Sequence, residues 1–244
     1  MIIFPQTQVP LTVPSCVGWM DAADLSTITS SGGSVSSVRN KANSLIPFVQ
    51  ATGAKQPITG TRTINGLNVL DFDGTSDRLG ANGLAAYFTT GTAPFTTFVV
   101  GYTDTITGGS RGVWGSSFAT SRYLSCFRKN ASAIAEIGSQ NDVGGFRDVN
   151  STNPLVVATP FVFTNVYDGA NVSNYQDAAT INTAQAFANG TVTLDTFSVG
   201  SITSVSNYWD GVIAEFILYN RAVSSAERVS IERYLGNKWG IVIS

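Results

Sequence analysis

The sequence predicts an all-β protein in which two antiparallel sheets form a sandwich closed by one accessory helix. Residues 211–219, Gly-Val-Ile-Ala-Glu-Phe-Ile-Leu-Tyr, have the apolar and β-branched character of a buried strand. The one strong helical pattern follows directly, between Ser224 and Gly240. Elsewhere, short strand-like segments recur at nearly regular spacing. Clusters of Gly, Asn, Asp and Ser separate them, which is typical of a sandwich.

Two segments show the alternation of a strand most clearly. Leu70 and Phe72 lie on the same face of one segment, and Phe98, Val100 and Tyr102 share a face of the other. Similar but shorter patterns occur along most of the chain. We therefore predict strands at residues 16–20, 68–73, 95–102, 112–115, 122–128, 133–137, 161–167, 172–176, 192–199 and 211–219.

The C-terminal helix carries clear start and stop signals. Ser224 is suited to the N-cap, and Glu227 three residues later completes a capping box. Gly240 is suited to end the helix. The apolar stripe between these signals consists of Ile231, Tyr234, Leu235 and Trp239. A single stripe predicts a helix that lies flat against the sandwich or covers one of its ends.

The chain reads as one domain with a short N-terminal arm. Residues 1–14 contain Pro5, Pro10 and Pro14, which favour an extended arm over a packed strand. Such an arm either binds a neighbouring subunit or lies on its own domain, and the sequence leaves both alternatives open. Residues 15–244 show no internal repeat, linker or change of composition. We expect them to form a single sandwich domain.

The composition excludes several classes of function. Hydrophobic residues make up 43% of the 244 residues, enough for a sizeable core, whereas charged residues make up only 12%. The net charge of −2 disfavours a nucleic-acid partner, which requires a basic surface. No stretch is apolar enough for a membrane helix, so membrane insertion is not expected. The chain contains no histidine, which removes the commonest general base and metal ligand.

The first residues, Met-Ile-Ile-Phe-Pro-Gln-Thr-Gln, do not resemble a signal peptide, because no basic segment precedes an apolar one. If this is the complete chain, we expect synthesis in the cytoplasm of the producing cell.

Three segments resemble the concanavalin A-like lectin/glucanase superfamily, and in particular its laminin-G-like members from phages and bacterial surfaces. They are residues 65–77 (Asn-Gly-Leu-Asn-Val-Leu-Asp-Phe-Asp-Gly-Thr-Ser-Asp), residues 210–240 with the strand and helix described above, and residues 19–28 (Trp-Met-Asp-Ala-Ala-Asp-Leu-Ser-Thr-Ile). The resemblance implies a jelly roll whose ligand binds on the concave face or in the rim loops. It says little about activity, since this fold hosts lectins, glycosidases, adhesins and structural modules.

A glycosidase requires two carboxyl groups at a defined separation around the scissile bond. The chain contains four glutamates: Glu136, Glu215, Glu227 and Glu232. None of them lies in the closely spaced pattern of glucanases with this fold. Glu215 stands alone in an apolar strand, and we interpret it as a structural carboxylate that accepts hydrogen bonds or pairs with an arginine such as Arg221. No catalytic residue is therefore predicted.

Calcium binding is the weaker interpretation of the acidic turn at residues 71–77. Asp71, Asp73 and Asp77 supply three carboxylates, but Ca²⁺ takes six to eight oxygen ligands, usually from several segments. The sequence Asp73-Gly-Thr-Ser-Asp77 alone favours a turn whose carboxylates accept bonds from backbone amides. We predict no cofactor and retain these three residues as candidate calcium ligands.

Carbohydrate binding requires an exposed aromatic ring together with amide or carboxylate groups for the hydroxyls. Tyr208, Trp209 and Asp210 provide this combination just before a strand, and Asn174 and Tyr175 provide a second set. The competing interpretation of each ring is core packing, because large aromatic residues are mostly buried. Trp114 and Tyr123 are further candidates, whereas Trp19 and Trp239 are assigned to the core.

The leading functional hypothesis is a non-enzymatic virion protein of a phage, acting in capsid decoration, in a fibre or in the tail. Its expected partners are other virion proteins, copies of itself and a host-surface glycan. The weakly charged, hydroxyl-rich surface favours such assembly, because little charge repulsion opposes it. A free-standing carbohydrate-binding lectin is the first alternative, and a glycan depolymerase is the second.

Overall fold

The computed structural model describes seven stretches of the chain. They are residues 9–88, 92–118, 122–128, 134–140, 146–187, 193–203 and 206–244. Residues 1–8 of the predicted arm lie outside them. Two helices, α1 (Val9–Thr12) and α2 (Ser225–Trp239), and nineteen strands occur in these stretches. Neither helix is long and apolar enough to cross a membrane, as far as the described residues show.

In chain order the first nine strands are β1 (Cys16–Asp21), β2 (Ile28–Ser31), β3 (Ser34–Val38), β4 (Phe48–Val49), β5 (Ile58–Ile64), β6 (Leu67–Asp73), β7 (Leu79–Gly80), β8 (Phe95–Thr103) and β9 (Arg111–Phe118). The others are β10 (Arg122–Arg128), β11 (Ile134–Gln140), β12 (Phe146–Pro154), β13 (Phe161–Tyr167), β14 (Asn171–Gln176), β15 (Ala179–Ala186), β16 (Thr196–Val199), β17 (Ser201–Thr203), β18 (Ser206–Tyr208) and β19 (Asp210–Tyr219). Short 3-10 turns occupy Leu25–Thr27, Gly53–Lys55 and Asn82–Phe88.

The strand pairings form two layers. In the first layer the order is β15, β14, β13, β8 and β19, and the free side of β19 pairs with β6 and then with β1. In the second layer the order is β2, β3, β4, β7, β16, β9, β10, β11 and β12. Both ladders are antiparallel, and β5, which pairs with β6, joins the layers through the pair Ser34 and Ile58. The predicted all-β sandwich is confirmed.

Aromatic rings fill the space between the layers. Phe197 and Trp114 of the second layer stack with centroids 5.9 Å apart, and Phe216 of the first layer lies 5.7 Å from Phe197. Phe88 stacks on Phe197 at 5.8 Å. Each fully buried large side chain contributes on the order of 2 kcal/mol through the apolar surface removed from water. This interior holds the two sheets face to face.

Helix α2 covers the outer face of the first layer. Phe98, Val100 and Tyr102, which the sequence places on one face of β8, all belong to the apolar cluster between this sheet and the helix. Leu235 and Trp239 of α2 enter the same cluster, as predicted. With one face against the other sheet and one against the helix, every residue of β8 is buried. The helix therefore lies flat on the sandwich.

The ends of the helix are those that the sequence predicts. The hydroxyl of Ser224 accepts a hydrogen bond from the backbone N–H of Glu227, and the Glu227 carboxylate accepts the N–H of Ser224 in return. Gly240 follows with φ +70°, a left-handed conformation that glycine adopts without strain.

The expectation of an extended arm is wrong for residues 9–14, which lie on their own domain. Residues 9–12 form the single helical turn α1, and Pro10 and Val13 are buried. The Tyr219 hydroxyl donates to the Pro10 carbonyl at 2.8 Å. Proline fits here because the first turn of a helix does not use its missing N–H.

The hairpin of β17 and β18 crosses the outer face of β9. Side chains at Gly112 or Gly115 would collide with the backbone of Ile202, at 2.1 and 1.9 Å respectively. Only glycine allows two backbones to approach this closely. The hairpin therefore carries Tyr208 to the start of β9, where it pairs with Gly112.

Candidate functional site

A pocket of about 710 Å³ opens beside the end of β1, where the loop after that strand, the segment 39–41 and the C-terminal half of α2 meet. Its volume is within the range of small-molecule sites in proteins. Trp19 and Tyr234 are buried and line the floor. We call this the charged pocket; its lining residues are Leu11, Trp19, Asp21, Ala23, Asp24, Arg39, Lys41, Leu67, Tyr234 and Lys238.

The buried Asn40 holds the segment 39–41 against β1. Its side-chain oxygen accepts the backbone N–H of Trp19 at 2.9 Å, and its amide donates to the Val17 carbonyl at 3.0 Å. The backbone N–H of Lys41 donates to the Trp19 carbonyl. These bonds fix where Arg39 and Lys41 enter the wall of the pocket.

Two lysines and two aspartates form a charged network across the pocket. The Lys41 ammonium lies 2.9 Å from Asp21 and 3.1 Å from Asp24, and it also lies 4.2 Å from the centre of the Trp19 ring. The Lys238 ammonium, from α2, lies 2.6 Å from Asp21. Asp21 therefore joins the helix to the segment 39–41. These charges are only partly exposed, which makes their interactions stronger than those of surface pairs.

Beneath the pocket, four donors surround the fully buried carboxylate of Glu215. The indole N–H groups of Trp19 and Trp239 each donate to it at 2.7 Å, one to each oxygen. Lys238 donates to Oε2 at 2.7 Å and the Tyr234 hydroxyl donates to Oε1 at 3.1 Å. Burial raises the pKa of Glu215, while the Lys238 ammonium opposes this change. We call these five residues the Glu215 cluster.

The predicted structural role of Glu215 agrees with this geometry, but the suggested partner Arg221 is wrong. Arg221 instead binds the Glu227 carboxylate at 2.7 Å, at the start of α2. That pair and the capping box lower the pKa of Glu227 to about 2. The predicted core residues Trp19 and Trp239 are indeed buried, and their N–H groups are satisfied by Glu215 rather than by solvent.

The upper wall of the charged pocket offers groups that a ligand can use. Arg39 is exposed, and its guanidinium has no carboxylate partner among the residues that the structure describes. Asp24 is partly exposed and its carboxylate retains free lone pairs beside Ser26 and Lys41. Leu11 and Leu67 add apolar surface. The pocket thus combines donors, acceptors and an apolar wall.

A second, smaller groove of about 390 Å³ lies on the other layer, along β4 and β7. Leu45 and Val49 line it with 89% and 46% of their surface exposed. Gln50, Arg78 and Asn82 are its polar residues. Arg78 is the one charged residue among the described residues of its lining, so the groove offers fewer charged groups to a ligand than the pocket beside β1 does.

The structure does not support an exposed ring at Trp209. Trp209 is fully buried, its ring packs edge-on against Phe161 at 6.5 Å, and its N–H donates to the Val212 carbonyl at 3.3 Å. Tyr208 and Asp210, on either side of it, are partly exposed. Arg111 lies 3.9 Å from the Asp210 carboxylate and donates to the Tyr208 carbonyl at 3.4 Å. Because Trp209 is enclosed while Tyr208 and Asp210 are partly exposed, the ring and its polar neighbours cannot form one platform.

The second predicted set is also not an open site. Asn174 is fully buried, and its side-chain oxygen accepts a bond from Asn165 at 2.7 Å. The ring of Tyr175 is half-buried beneath the guanidinium of Arg228, 3.7 Å from the ring centre. Trp114 is fully buried as well, in the aromatic interior.

The acidic turn has the geometry that its sequence favours. Asp73 accepts the backbone N–H groups of Thr75, Ser76 and Asp77, and Asp77 accepts the N–H of Asp73 at 3.1 Å. The Asp71 carboxylate is bound by Arg62 at 2.8 Å. No group of three or more acidic, cysteine or histidine side chains suited to a metal occurs in the described part of the chain.

Sequence reasoning missed the charged pocket because its parts come from three distant segments. Asp21 and Asp24 read as turn residues, and Lys41 and Lys238 carry no pattern of their own. One weak signal was present. A lone glutamate within an apolar strand requires buried donors, and Lys238 is the one cation that the last turn of α2 provides.

No family model and no curated protein sequence matches this chain. Solved structures resemble it in fold. The binding domain of Paraclostridial Mosquitocidal Protein 1 has a TM-score of 0.66 at 8% identity, over 93% of this chain and 52% of that one. Domain 4 of AbnA, a GH43 extracellular arabinanase from Geobacillus stearothermophilus, in complex with arabinotriose, has a TM-score of 0.61 at 10% identity, over 89% and 98%.

Trypanosoma rangeli sialidase in complex with 2,3-difluorosialic acid also resembles the chain, with a TM-score of 0.62 at 13% identity over 93% of this chain. The chain spans only 33% of the length of that enzyme. At these identities the likeness shows a shared all-β fold and nothing about activity.

Proposed function

We propose that this protein is a non-catalytic carbohydrate-binding module and that its ligand binds in the charged pocket. The observation that carries this proposal is the pocket itself, about 710 Å³ in volume, with polar groups of both signs beside apolar surface. Sugars present hydroxyls that both donate and accept, together with C–H faces that prefer apolar contacts. A pocket with donors, acceptors and leucine side chains is suited to such a ligand.

The structural neighbours support this class of function. Domain 4 of AbnA was solved with arabinotriose, and this chain aligns with 98% of that domain. The sialidase structure contains a sialic acid derivative. We also propose that the fold belongs to the concanavalin A-like superfamily, as a laminin-G-like jelly roll comprising residues 15–244, in line with the resemblance of residues 65–77 and 210–240.

We propose that the protein is not catalytic because the described glutamate carboxylates are either buried or already bound by other side chains. Glu215 is fully buried under four donors and is out of reach of a glycosidic oxygen. Glu227 is bound to Arg221 and to the helix cap, and Glu232 is bound to Arg228 and Thr164. A glycosidase requires an acid that reaches the substrate and a second carboxylate at a set distance. The Glu136 side chain lies outside the described residues.

Glycan binding is tested on an array of immobilised oligosaccharides, followed by titration calorimetry. The variant Ala23→Trp places a large ring in the charged pocket, and Ala51→Trp does the same in the second groove. We expect Ala23→Trp to abolish binding and Ala51→Trp to leave it unchanged. Thermal unfolding of both variants verifies that they are folded.

Three results would contradict the proposal. Binding that disappears only in Ala51→Trp would move the site to the second groove. An array without a reproducible hit would exclude a carbohydrate ligand. Release of new reducing ends from a bound oligosaccharide would show a depolymerase.

For the biological setting, we propose a phage particle on which the module binds other virion proteins, copies of itself and a host glycan. This placement rests on the sequence resemblance and on the small charged fraction of 12%. Mass spectrometry of purified particles tests it. Absence of the chain from particles, together with its presence in the soluble fraction of the host, would favour the free-standing lectin.

A further inference from the structure

The charged pocket contains equal numbers of positive and negative groups. The carboxylates are Asp21, Asp24 and the underlying Glu215, and the cations are Arg39, Lys41 and Lys238. Three negative and three positive charges give a formal sum of zero within one site. A ligand that enters the pocket therefore meets no net attraction for either sign of charge.

The lysines are already neutralised by the protein. Lys41 lies within 3.1 Å of two aspartates, and Lys238 lies within 2.7 Å of Asp21 and Glu215. A ligand anion would have to compete with these carboxylates at close range. A ligand cation would meet the same obstacle at Asp21 and Glu215, which lie deeper than Asp24.

Two charged groups remain open to a ligand, and they are of opposite sign. Arg39 is exposed and without a carboxylate partner in the described part of the chain, and its fork offers up to five N–H donors. Asp24 is partly exposed, with lone pairs left beside Ser26 and Lys41. A hydroxyl group is both donor and acceptor, so adjacent hydroxyls on one sugar ring match this pair without adding charge.

We propose that the charged pocket is specific for an uncharged oligosaccharide, with Arg39 as donor and Asp24 as acceptor to its hydroxyls, and that it rejects acidic sugars. This inference rests on the proposed glycan-binding function. Leu11 and Leu67 contact the C–H face of the same sugar. Rejection arises because Lys41 and Lys238 are already paired with Asp21, Asp24 and Glu215, so the carboxylate of an acidic sugar would lose hydration without gaining a free ammonium partner.

The test compares sugars that differ only in charge. Calorimetric titrations use cellotetraose, maltotetraose, β-1,4-mannotetraose and β-1,4-galactotetraose together with any tetrasaccharide hit from the array, each beside its C6-oxidised uronate form. We expect the uronate form of every ligand to bind at least about tenfold more weakly. We also expect the affinity of the neutral form to change by less than about twofold between about 50 and 500 mM salt.

Two variants with matched controls test whether Asp24 and Arg39 determine the preference for uncharged sugars. Asp24→Asn gives the pocket a net positive charge. The ratio of the affinities for the neutral and uronate forms should therefore fall by at least about threefold. Arg39→Gln should weaken binding of the neutral form by about fivefold or more through the loss of donors. The controls Asp195→Asn and Arg233→Gln alter exposed charges outside the pocket. They should change neither the affinity for the neutral form nor its ratio to the affinity for the uronate form.

The outcomes separate this inference from the proposed function. An array without hits overturns the proposed function, and the specificity with it. Hits that are acidic, or uronate forms that bind as tightly as the neutral ones, overturn the inference and leave carbohydrate binding intact. Asp24→Asn and Arg39→Gln variants that behave like their controls also overturn it.

Discussion

The indole N–H of Trp19 donates a hydrogen bond of 2.7 Å to Glu215, although 196 positions separate the two residues in the chain. This bond joins β1 to the buried face of β19, and Trp239 adds the end of α2 to the same carboxylate. The Glu215 cluster therefore ties two strands and the helix together beneath the charged pocket. Its bonds satisfy a buried charge, and the loss of any one partner leaves a polar group unpaired.

We predict that Glu215→Gln lowers the free energy of unfolding by about 3 kcal/mol, the usual effect of breaking a buried charge pair. A glutamine keeps one acceptor oxygen, but its NH₂ group would face donors such as the Trp239 indole or Lys238. Urea unfolding followed by tryptophan fluorescence measures the change.

Glu227→Gln is the matched control for this substitution. Glu227 is a partly exposed glutamate that binds Arg221 and completes the capping box of α2. Its replacement should lower the free energy of unfolding by only about 1 kcal/mol. Equal losses in the two variants would show that the Glu215 cluster does not contribute the stability that we assign to it.

The close crossing of β17 over β9 gives a second prediction. In Gly112→Ala, the new Cβ would lie 2.1 Å from the backbone nitrogen of Ile202, so the two strands must separate. We expect a loss of at least about 2 kcal/mol in the free energy of unfolding, as for other overpacked sites. Gly53→Ala has no atom within 4 Å of its new Cβ and should change stability by less than about 0.5 kcal/mol. A tolerated Gly112→Ala would mean that the hairpin is not held against β9.

The sequence predicts best the elements that are buried on both faces. β13 has the predicted bounds, and β8 and β19 differ from theirs by one residue at one end. These strands are long apolar runs, so their pattern does not depend on partners. By contrast, β4 and β7 have two residues each and exist because distant strands pair with them. Such strands carry no periodicity that sequence reasoning can detect.

The site was harder to predict because the three-dimensional fold, and not the local sequence, decides which side chains line a pocket. Trp209 and Trp19 are both fully buried and both lie within two residues of an aspartate, yet Trp19 lines the charged pocket and Trp209 does not. Composition cannot separate these two outcomes. The segment that supplies Lys41 is held against β1 by the side chain of Asn40 and by the backbone N–H of Lys41. Long-range hydrogen bonds of this kind decide which polar residues meet.

The pH dependence of stability follows from Asp77. Burial, with the nearby Asp73 adding to it, raises the pKa of Asp77 to about 7 from its usual value near 3.8. A carboxyl with a raised pKa holds its proton more tightly in the folded state than in the unfolded state. Its contribution to the free energy of unfolding therefore falls as the pH rises from about 4 to about 7.

We predict that Asp77→Asn removes this dependence, because an asparagine does not ionise and can still accept the Asp73 N–H. Relative to the wild-type chain, the variant should be more stable at about pH 8 than at about pH 4. Urea unfolding at both pH values measures the difference, with the exposed Asp195→Asn as control. A constant difference between wild type and Asp77→Asn at the two pH values would contradict the assigned pKa.

Substitutions at Trp209 test the position of the glycan site directly. Trp209 is buried against Phe161, so Trp209→Ala should lower the free energy of unfolding by about 3–5 kcal/mol, as large aromatic truncations do. Trp209→Phe should fold with a smaller loss and bind any oligosaccharide hit within about twofold of wild type. Tyr208→Ala, at the partly exposed neighbour, should change neither the free energy of unfolding nor the affinity for the oligosaccharide. Weaker glycan binding by a stably folded Trp209→Phe would show that the glycan binds at the loop before β19 and not in the charged pocket.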